Sequence, residues 1–439
     1  MTKIRNVYVS MSADNLHHGH INVITKASSL GNLTVGLLTE RAILVKKKLP
    51  LLNYNQRKKI VISIKGVKKV IPQNEWDDTV NIIKLKPDIV VHGDDWKYGI
   101  EKDLRAKVIK CLKKYGGKLI EIRHEKNAKS FNIYNKDLND NNLVYSFTPD
   151  MRRASLQKLL NIKNFLIFME AHSPLSALII EKTSIIKNKK EKYFDGFWSS
   201  SLTDSTLFGR PDTESLDMSL RLNNIDKIFD VTSKPLIMDI DTGGKFEHLK
   251  MKINSIEKLG ISAVIMEDKT GLKKNSLFED TSDQKQESAD KFAKKIKYIK
   301  ENQITNDFML IARIESFILN KGINDALLRA KKYTKAGVDG IMIHSKQKNP
   351  KEIINFAKNF RKFNKTTPLI CVPSTYNQIK EDNLKKVGFN IVIYANQLLR
   401  SSYYAMSNIA TDILKNSRTQ ESEKKMTSIK KIINLIPGA

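Results

Sequence analysis

Apolar and polar positions alternate along this chain in two rhythms. Up to about residue 140, apolar runs at Val7–Met11, Leu33–Leu38, Lys69–Ile71, Ile89–His92 and Lys118–Ile122 are separated by stretches of helical period at Gly19–Ser29, Gln56–Ile64, Asp78–Leu85 and Leu104–Tyr115. Short runs that are hydrophobic at consecutive positions and bounded by turn residues read as parallel strands buried on both faces. Their alternation with helices predicts a doubly wound, Rossmann-like sheet. Residues 125–145 then turn rich in Asn, Asp and Lys and poor in apolar residues, which marks a boundary. Helical period resumes over Met151–Leu160.

Beyond that point eight further runs follow: Phe165–Glu170, Gly196–Ser200, Pro235–Asp239, Ala263–Glu267, Met309–Ile314, Gly340–His344, Leu369–Val372 and Ile391–Tyr394. Eight strand–helix units in a segment of this length predict a TIM-type (β/α)8 barrel. The expected organisation is an α/β chain with an open-sheet domain over 1–140, a linker and helix over 141–164, and a barrel over 165–435. The amphipathic segment Gln397–Leu414 would either pack on its own barrel or be exchanged with a second copy.

Composition adjusts this picture in a few places. The formal charge of +29 raises the question of nucleic acid. The lysines, however, are spread along stretches expected to be helical, such as Lys182–Lys192 and Lys291–Lys300, with no basic arm interleaved with aromatics. They read as solvated helix faces, and a nucleic-acid partner is not expected. No apolar stretch is long enough to span a membrane, and Met1–Val9 lacks the layout of a signal peptide. Two distant cysteines, Cys111 and Cys371, exclude a disulfide framework and a cysteine zinc site. A cytoplasmic location is expected.

The chemistry collects at predicted strand ends, which in a barrel converge on one mouth. Asp239 and Asp241 flank a single residue; on extended chain their side chains would point the same way. With Glu267 they make a carboxylate cluster suited to a hard Mg²⁺ that keeps several waters. The alternative is a turn whose aspartates cap a helix. Arg313 and Glu315 lie in an otherwise apolar run, where charge is costly unless paired. They read either as a structural pair or as a phosphoryl-binding Arg oriented by its Glu. His344 ends the next strand, as a core histidine or as a ligand of the same mouth. Ser200, Ser201 and Leu202 lie in a small-residue turn whose N–H groups can cradle a carboxylate. Asp212 stands on a loop after Gly209-Arg210-Pro211.

Five segments carry a resemblance: Phe197-Trp198-Ser199-Ser200-Ser201-Leu202-Thr203, Asp239-Ile240-Asp241-Thr242-Gly243, Glu267-Asp268-Lys269 with Lys273 to Leu277, Ile311-Ala312-Arg313-Ile314-Glu315-Ser316, and Ile343-His344-Ser345-Lys346. In order and spacing they resemble the phosphoenolpyruvate phosphomutase family of the isocitrate lyase and phosphoenolpyruvate mutase superfamily. The resemblance implies interconversion of phosphoenolpyruvate and 3-phosphonopyruvate by Mg²⁺-assisted intramolecular phosphoryl transfer, the opening step of phosphonate biosynthesis. It implies Asp239 as direct metal ligand, with Asp241 and Glu267 holding metal-bound waters. Ser200, Ser201 and Leu202 would bind the carboxylate. Arg313, His344 and Asn275 would hold the phosphoryl group, and Asp212 would lie near the enolate. Lys273 and Ser276 would belong to a gating loop over Lys269–Phe278. Isocitrate-lyase-type relatives carry a cysteine in that loop and this chain has none. Phosphonopyruvate hydrolases depart from the mutases at the asparagine, which here is Asn275; hydrolysis is the main competing activity. Barrels of this superfamily pair by exchanging their last helix, so a homotetramer built as a dimer of dimers is expected.

At the first strand, Asp14-Asn15-Leu16-His17-His18-Gly19-His20 opens a helix, and Val90-Val91-His92-Gly93-Asp94-Asp95 closes a later strand. Together they resemble the cytidylyltransferase-like nucleotidyltransferases, which implies His17, His20 and Asp94 at a nucleotide site, with CTP and a phosphonate as partners. The phosphates would sit at the helix N-terminus. Two departures stand out. Met11 and Ala13 occupy places where the family has Gly and Phe. The expected segment rich in small hydroxyl residues falls near 123–130, where the chain reads Arg123-His124-Glu125-Lys126-Asn127-Ala128-Lys129-Ser130. Cytidylyl transfer as the main activity is the remaining alternative.

Overall fold

The computed structural model describes residues 4–14, 16–45, 49–97, 102–123, 147–187, 190–271, 273 and 284–435. The chain divides into two compact units, Met1–Asn132 and Ile133–Ala439. The Asn-, Asp- and Lys-rich stretch expected to form a boundary lies outside the described residues.

The first unit is a five-stranded parallel sheet. Its strands are β1 (Asn6–Met11), β2 (Asn32–Leu38), β3 (Val67–Gln73), β4 (Ile89–Gly93) and β5 (Lys118–Ile122), in the order β3-β2-β1-β4-β5. The order reverses between β1 and β4, so a crevice opens at their carboxyl ends, where open α/β sheets bind ligands. Alternate residues of β1 serve opposite faces. Val7 and Val9 pack with Ile24, Leu33 and Val35, whereas Tyr8 packs with Val90, Trp96 and Val108. The fully buried Arg57 ties this end of the sheet together by donating to the carbonyls of Ser12, Leu38 and Leu52.

The second unit is a closed parallel barrel accompanied by two short hairpins. Its elements are β6 (Leu166–Glu170), the hairpin β7 (Ser184–Lys187) and β8 (Lys190–Tyr193), β9 (Gly196–Ser199), β10 (Leu236–Asp239), β11 (Ala263–Glu267), the pair β12 (Lys269–Thr270) and β13 (Lys285–Gln286), β14 (Met309–Ile314), β15 (Gly340–Ile343), β16 (Leu369–Cys371) and β17 (Ile391–Tyr394). Around the barrel the order is β10-β11-β14-β15-β16-β17-β6-β9, and β17 pairs with β6 to close it. All eight expected strands are present. Each is an apolar run because its side chains meet either the barrel interior or the surrounding helices; Phe197, Met238, Val264, Leu310 and Ile341 share one continuous core.

Helix ends follow ordinary capping chemistry. Ser173 caps the helix Pro174–Lys182 in a reciprocal pair with Ser176. Gly260 ends the helix Leu249–Leu259 at φ 95°, and a Cβ there would lie 2.7 Å from the Pro149 Cα, so both conformation and space require glycine.

One expectation fails. Lys182–Lys192 does not continue as a solvated helix: the helix stops at Lys182, and Ser184–Lys187 pairs antiparallel with Lys190–Tyr193. The β-branched Ile185 and Ile186 favour the extended conformation over the helical one.

Candidate active site

Every barrel residue expected at the mouth and lying among the described residues reaches it. Register places Glu267 beside Arg313 on neighbouring strands, and β14 in turn pairs with β15, which delivers His344. Ser200, Ser201, Leu202, Asp212, Asp239, Glu267, Lys273, Arg313 and His344 line one pocket. Asp241 joins them through Lys273. Asn275 and Ser276 lie outside the described residues.

The ammonium of Lys273 is the hub of the acidic side. It lies 2.6 Å from Ser201 Oγ and 2.6 Å from Asp212 Oδ1, and it pairs with Asp241. Ser201 Oγ in turn donates to Asp239 Oδ2 at 3.2 Å. Burial opposes charge on Lys273, but Asp241, Asp239 and Asp212 outweigh it and hold the ammonium above its ordinary pKa.

The geometry of the two aspartates differs from the extended arrangement expected. Strand β10 ends at Asp239, and Asp241 adopts a left-handed conformation at φ 53°. Asp239 Oδ1 accepts the Asp241 N–H at 3.0 Å, so this carboxylate stabilises the turn that swings Asp241 back to the pocket. The alternative of aspartates capping a helix does not hold: the next helical turn, Phe246–His248, has Lys245 at its N-cap, and Asp239 stabilises only the local turn.

The opposite side is cationic. Arg313 donates to Glu315 at 2.5 Å and lies 3.6 Å from Glu267 Oε2, while Lys269 lies 3.4 Å from Glu267 and 3.5 Å from Glu315. Burial opposes the charge of Arg313, but Glu315, Glu267 and Asp239 more than offset it. Burial, helped by the charge of Arg313, pushes His344 down to about 4, so its imidazole is neutral at physiological pH.

Residues 156–414 match the family model described as phosphoenolpyruvate phosphomutase. The chain belongs to the phosphoenolpyruvate phosphomutase family. The phosphoenolpyruvate phosphomutase of Tetrahymena pyriformis is 33% identical over 298 residues, which cover 67% of this chain and 94% of that protein. The phosphonopyruvate hydrolase of Variovorax sp. (strain Pal2) is 34% identical over 290 residues, covering 65% of this chain and 94% of that one. A solved phosphonopyruvate hydrolase in complex with oxalate and Mg²⁺ superposes with a TM-score of 0.57 at 32% identity, covering 66% of this chain and 95% of its own. Residues 12–154 match the cytidylyltransferase-like family model.

Among the described residues no three His, Cys, Asp or Glu side chains form a ready-made metal cage. Yet the carboxylates of this family member suit a cation held largely through water. Burial and the nearby Asp239 push Asp241 up to about 6. Burial also pushes Glu267 up to about 8, against the opposing pull of Arg313 and Lys269. Burial opposes ionisation of both acids, so added positive charge would favour their carboxylate forms. A divalent ion with one direct carboxylate and several waters matches that need.

Packing reveals residues that the sequence pattern did not single out. Arg221, wholly buried on the helix Met218–Asp230, donates to Asp204 at 2.9 Å and lies 3.9 Å from Asp241. Asp204 also accepts from Ser199 at 2.6 Å, so one buried cation ties the Ser200–Leu202 turn to the acidic side of the pocket. Asp268, one residue beyond β11, accepts from Arg329, Tyr333 and the Glu315 N–H.

In the first unit, His17 and His20 come together with ring centroids 4.1 Å apart at the start of the helix His18–Ser29. His17 Nδ1 accepts the Gly19 N–H at 3.0 Å, which makes it the helix cap. Asp94 begins the turn after β4, the strand adjacent to β1, so both motifs stand at the switch point of the sheet. His92 stacks on Trp96 with centroids 3.8 Å apart. Ala13, at φ 51°, and Asp14 are committed to the local turn, with Asp14 accepting the N–H groups of Leu51 and Leu52. Of the segment 123–130, only Arg123 is among the described residues.

Proposed function

We propose that the barrel interconverts phosphoenolpyruvate and 3-phosphonopyruvate by moving a phosphoryl group within one molecule. The observation that carries this reading is a single mouth in which a buried Arg313–Glu315 pair and a neutral His344 face the Asp239–Asp241–Lys273–Asp212 cluster. Phosphoryl transfer through a loose, metaphosphate-like state asks for positioning and charge stabilisation more than for a nucleophile. Arg313 and His344 would hold the migrating group, with Asn275. The N–H groups of Ser201 and Leu202, supported by Ser200, would hold the carboxylate. Asp212 and Lys273 would face the pyruvyl fragment, with Ser276 in the same loop as Lys273. Asp239, with Asp241 and Glu267 acting through water, would hold Mg²⁺, which would supply positive charge to offset that of the anionic substrate.

The mutase reading is favoured over hydrolysis by Asn275 in the sequence. A lyase using a cysteine is disfavoured, because Cys111 and Cys371 are both buried and neither is in the Lys269–Phe278 segment. ³¹P NMR of the protein with Mg²⁺ and phosphonopyruvate tests the choice. The phosphonate signal should convert to that of phosphoenolpyruvate, whereas direct appearance of inorganic phosphate would establish the hydrolase. Asn275→Ala should lose most turnover; unchanged conversion would remove its assigned role.

A second reading concerns the first unit, where His17 caps a helix at a sheet switch point and His20 lies beside it. There the chain would transfer CMP from CTP to a phosphonate made downstream of the barrel, placing both units in one phosphonate biosynthesis route. Pyrophosphate release from CTP in the presence of simple phosphonates is the expected result. Its absence with every acceptor would leave the unit a role in assembly or regulation.

No described helix is long and apolar enough to cross a membrane, and a cytoplasmic enzyme fits the chemistry. A dimer of dimers is part of the same proposal. The 20-residue helix Gln397–Asn416 has no buried position and exposes Tyr403, Tyr404, Met406 and Leu414. Light scattering on the eluted protein would give the oligomer directly.

A further inference from the structure

The ionisable groups of the mouth come from β10, β11, β14, β15 and the loops beside them. The other arc, β16-β17-β6-β9, offers neutral groups to the same pocket, among them Ser374, Asn396 and Trp198. The ionisable end of this arc, Glu170 on β6, is spent elsewhere: it pairs with His172 and accepts the N–H groups of Leu398 and Leu399 at 3.1 and 3.3 Å.

That arrangement releases Asn396. It stands at the N-cap of the helix Gln397–Asn416, where an asparagine ordinarily caps through its side chain. Here it makes no such bond, because Glu170 from another strand satisfies the first turn. Asn396 is only 8% exposed, and its Oδ1 is buried without a hydrogen-bond partner. Trp198 is 2% exposed, and its indole N–H is likewise buried and unpartnered. Buried polar groups without partners carry a free-energy penalty, and in native proteins each has a reason. Two such groups lining one pocket, on strands separated only by β6, share a reason most simply as ligand contacts.

We infer that Trp198 and Asn396 form a neutral binding edge, on the arc of the mouth that runs from β17 through β6 to β9, that donates hydrogen bonds to an oxyanionic group of the substrate. This rests on the barrel reading above. The indole can only donate. A half-turn about the last side-chain bond of Asn396 presents its amide N–H groups instead of its oxygen. Such donors hold an anion without adding charge to a pocket whose cations are already balanced by carboxylates. The group held is a carboxylate or a phosphonate oxygen, and the experiment separates the two.

The protein, full length and with Mg²⁺, is titrated calorimetrically with oxalate, which has carboxylates only, and with phosphonopyruvate. Asn396→Ala and Trp198→Phe should each weaken binding by about 10- to 100-fold, the range for a hydrogen bond to a charged group. Asn396→Asp should weaken it further, by setting a carboxylate against the anion. The thermal midpoint should barely move in Asn396→Ala, whose side chain bonds nothing in the protein, whereas Trp198→Phe leaves a cavity at a 2% exposed site and should lower it while the protein stays folded. Weakening of both ligands assigns the edge to the carboxylate; weakening of phosphonopyruvate alone assigns it to the phosphonate. Binding of both ligands within twofold of wild type in Asn396→Ala and Trp198→Phe overturns the inference. If one variant fails to fold, the other decides. Wild-type protein that binds oxalate but converts no phosphonopyruvate would sink the mutase reading and leave the edge standing. Wild-type protein that binds neither ligand would sink both.

Discussion

The barrel and the open sheet solve the same problem differently. Both are parallel, both bury their strands on two faces, and both set polar residues at carboxyl ends. Closure makes the difference. In the barrel, strand ends as distant in sequence as Asp239 and His344 face one another, so the scaffold assembles the frame of a site to which loops add Asp212 and Lys273. In the sheet only β1 and β4 meet at the switch point, and the rest of a nucleotide site has to come from loops. A barrel site therefore has most of its charged frame once its strands form. A sheet site depends on connecting segments, and here the segment expected to contact the phosphates falls largely outside the described residues.

This contrast can be tested by breaking each unit separately. Arg313→Ala should have the largest effect, lowering mutase turnover by about 10³-fold, as for loss of a charge-stabilising donor at a transition state. CTP affinity, read on the same preparation, should stay within twofold. Retention of a tenth of the turnover would show that the barrel does not rely on this strand end.

Arg57→Met is the counterpart in the sheet. It strands the carbonyls of Ser12, Leu38 and Leu52 and leaves Glu40, 3.6 Å away, without its cation. The first unit should lose about 3–5 kcal/mol, seen as a shift of its own step in urea unfolding. A matching shift of the barrel step would show that the two units do not unfold independently.

A third test uses pH. An unfolded histidine takes its proton near 6.5, whereas folded His344 refuses it until about 4. The unfolded state thus binds more protons in that interval. His344 contributes stability that is complete above pH 6.5 and lost as pH falls through 4. The loss is about 3.5 kcal/mol at about 1.4 per pKa unit. In His344→Gln the acid limb of barrel stability should be shallower by that amount; an unchanged limb would mean the imidazole is hydrated. The smallest effect belongs to His17→Ala, expected to weaken CTP binding about tenfold through loss of a ligand and a helix cap, with barrel turnover untouched.

The same contrast explains what could be read in advance. All eight barrel strands were legible because burial on both faces leaves continuous apolar runs, and Asp239, Glu267, Arg313 and His344 were legible because each interrupts or ends such a run. Arg221 and Asn396 were not. On an amphipathic helix an arginine looks solvated, and an asparagine before a helix looks like a cap; only packing shows one fully buried and the other uncapped. The hairpin Ser184–Tyr193 was hidden by its lysines, which suit a helix as well as a strand edge. The turn at Asp241 was hidden because a left-handed aspartate leaves no periodic trace.

The pairing of β17 with β6 has a consequence in time. Ile391 sits beside Leu166, and Asn390 donates to the carbonyl of Asn164, 226 positions earlier. The strands of the sheet need only the first 122 residues. As the polypeptide emerges from its N-terminal end, the sheet can be finished while the first barrel strand still waits for its neighbour, an unpaired edge in search of a partner. Synthesis therefore leaves the barrel half-built and exposed long after the sheet is safe, and chaperones should engage nascent chains that end between β6 and β17.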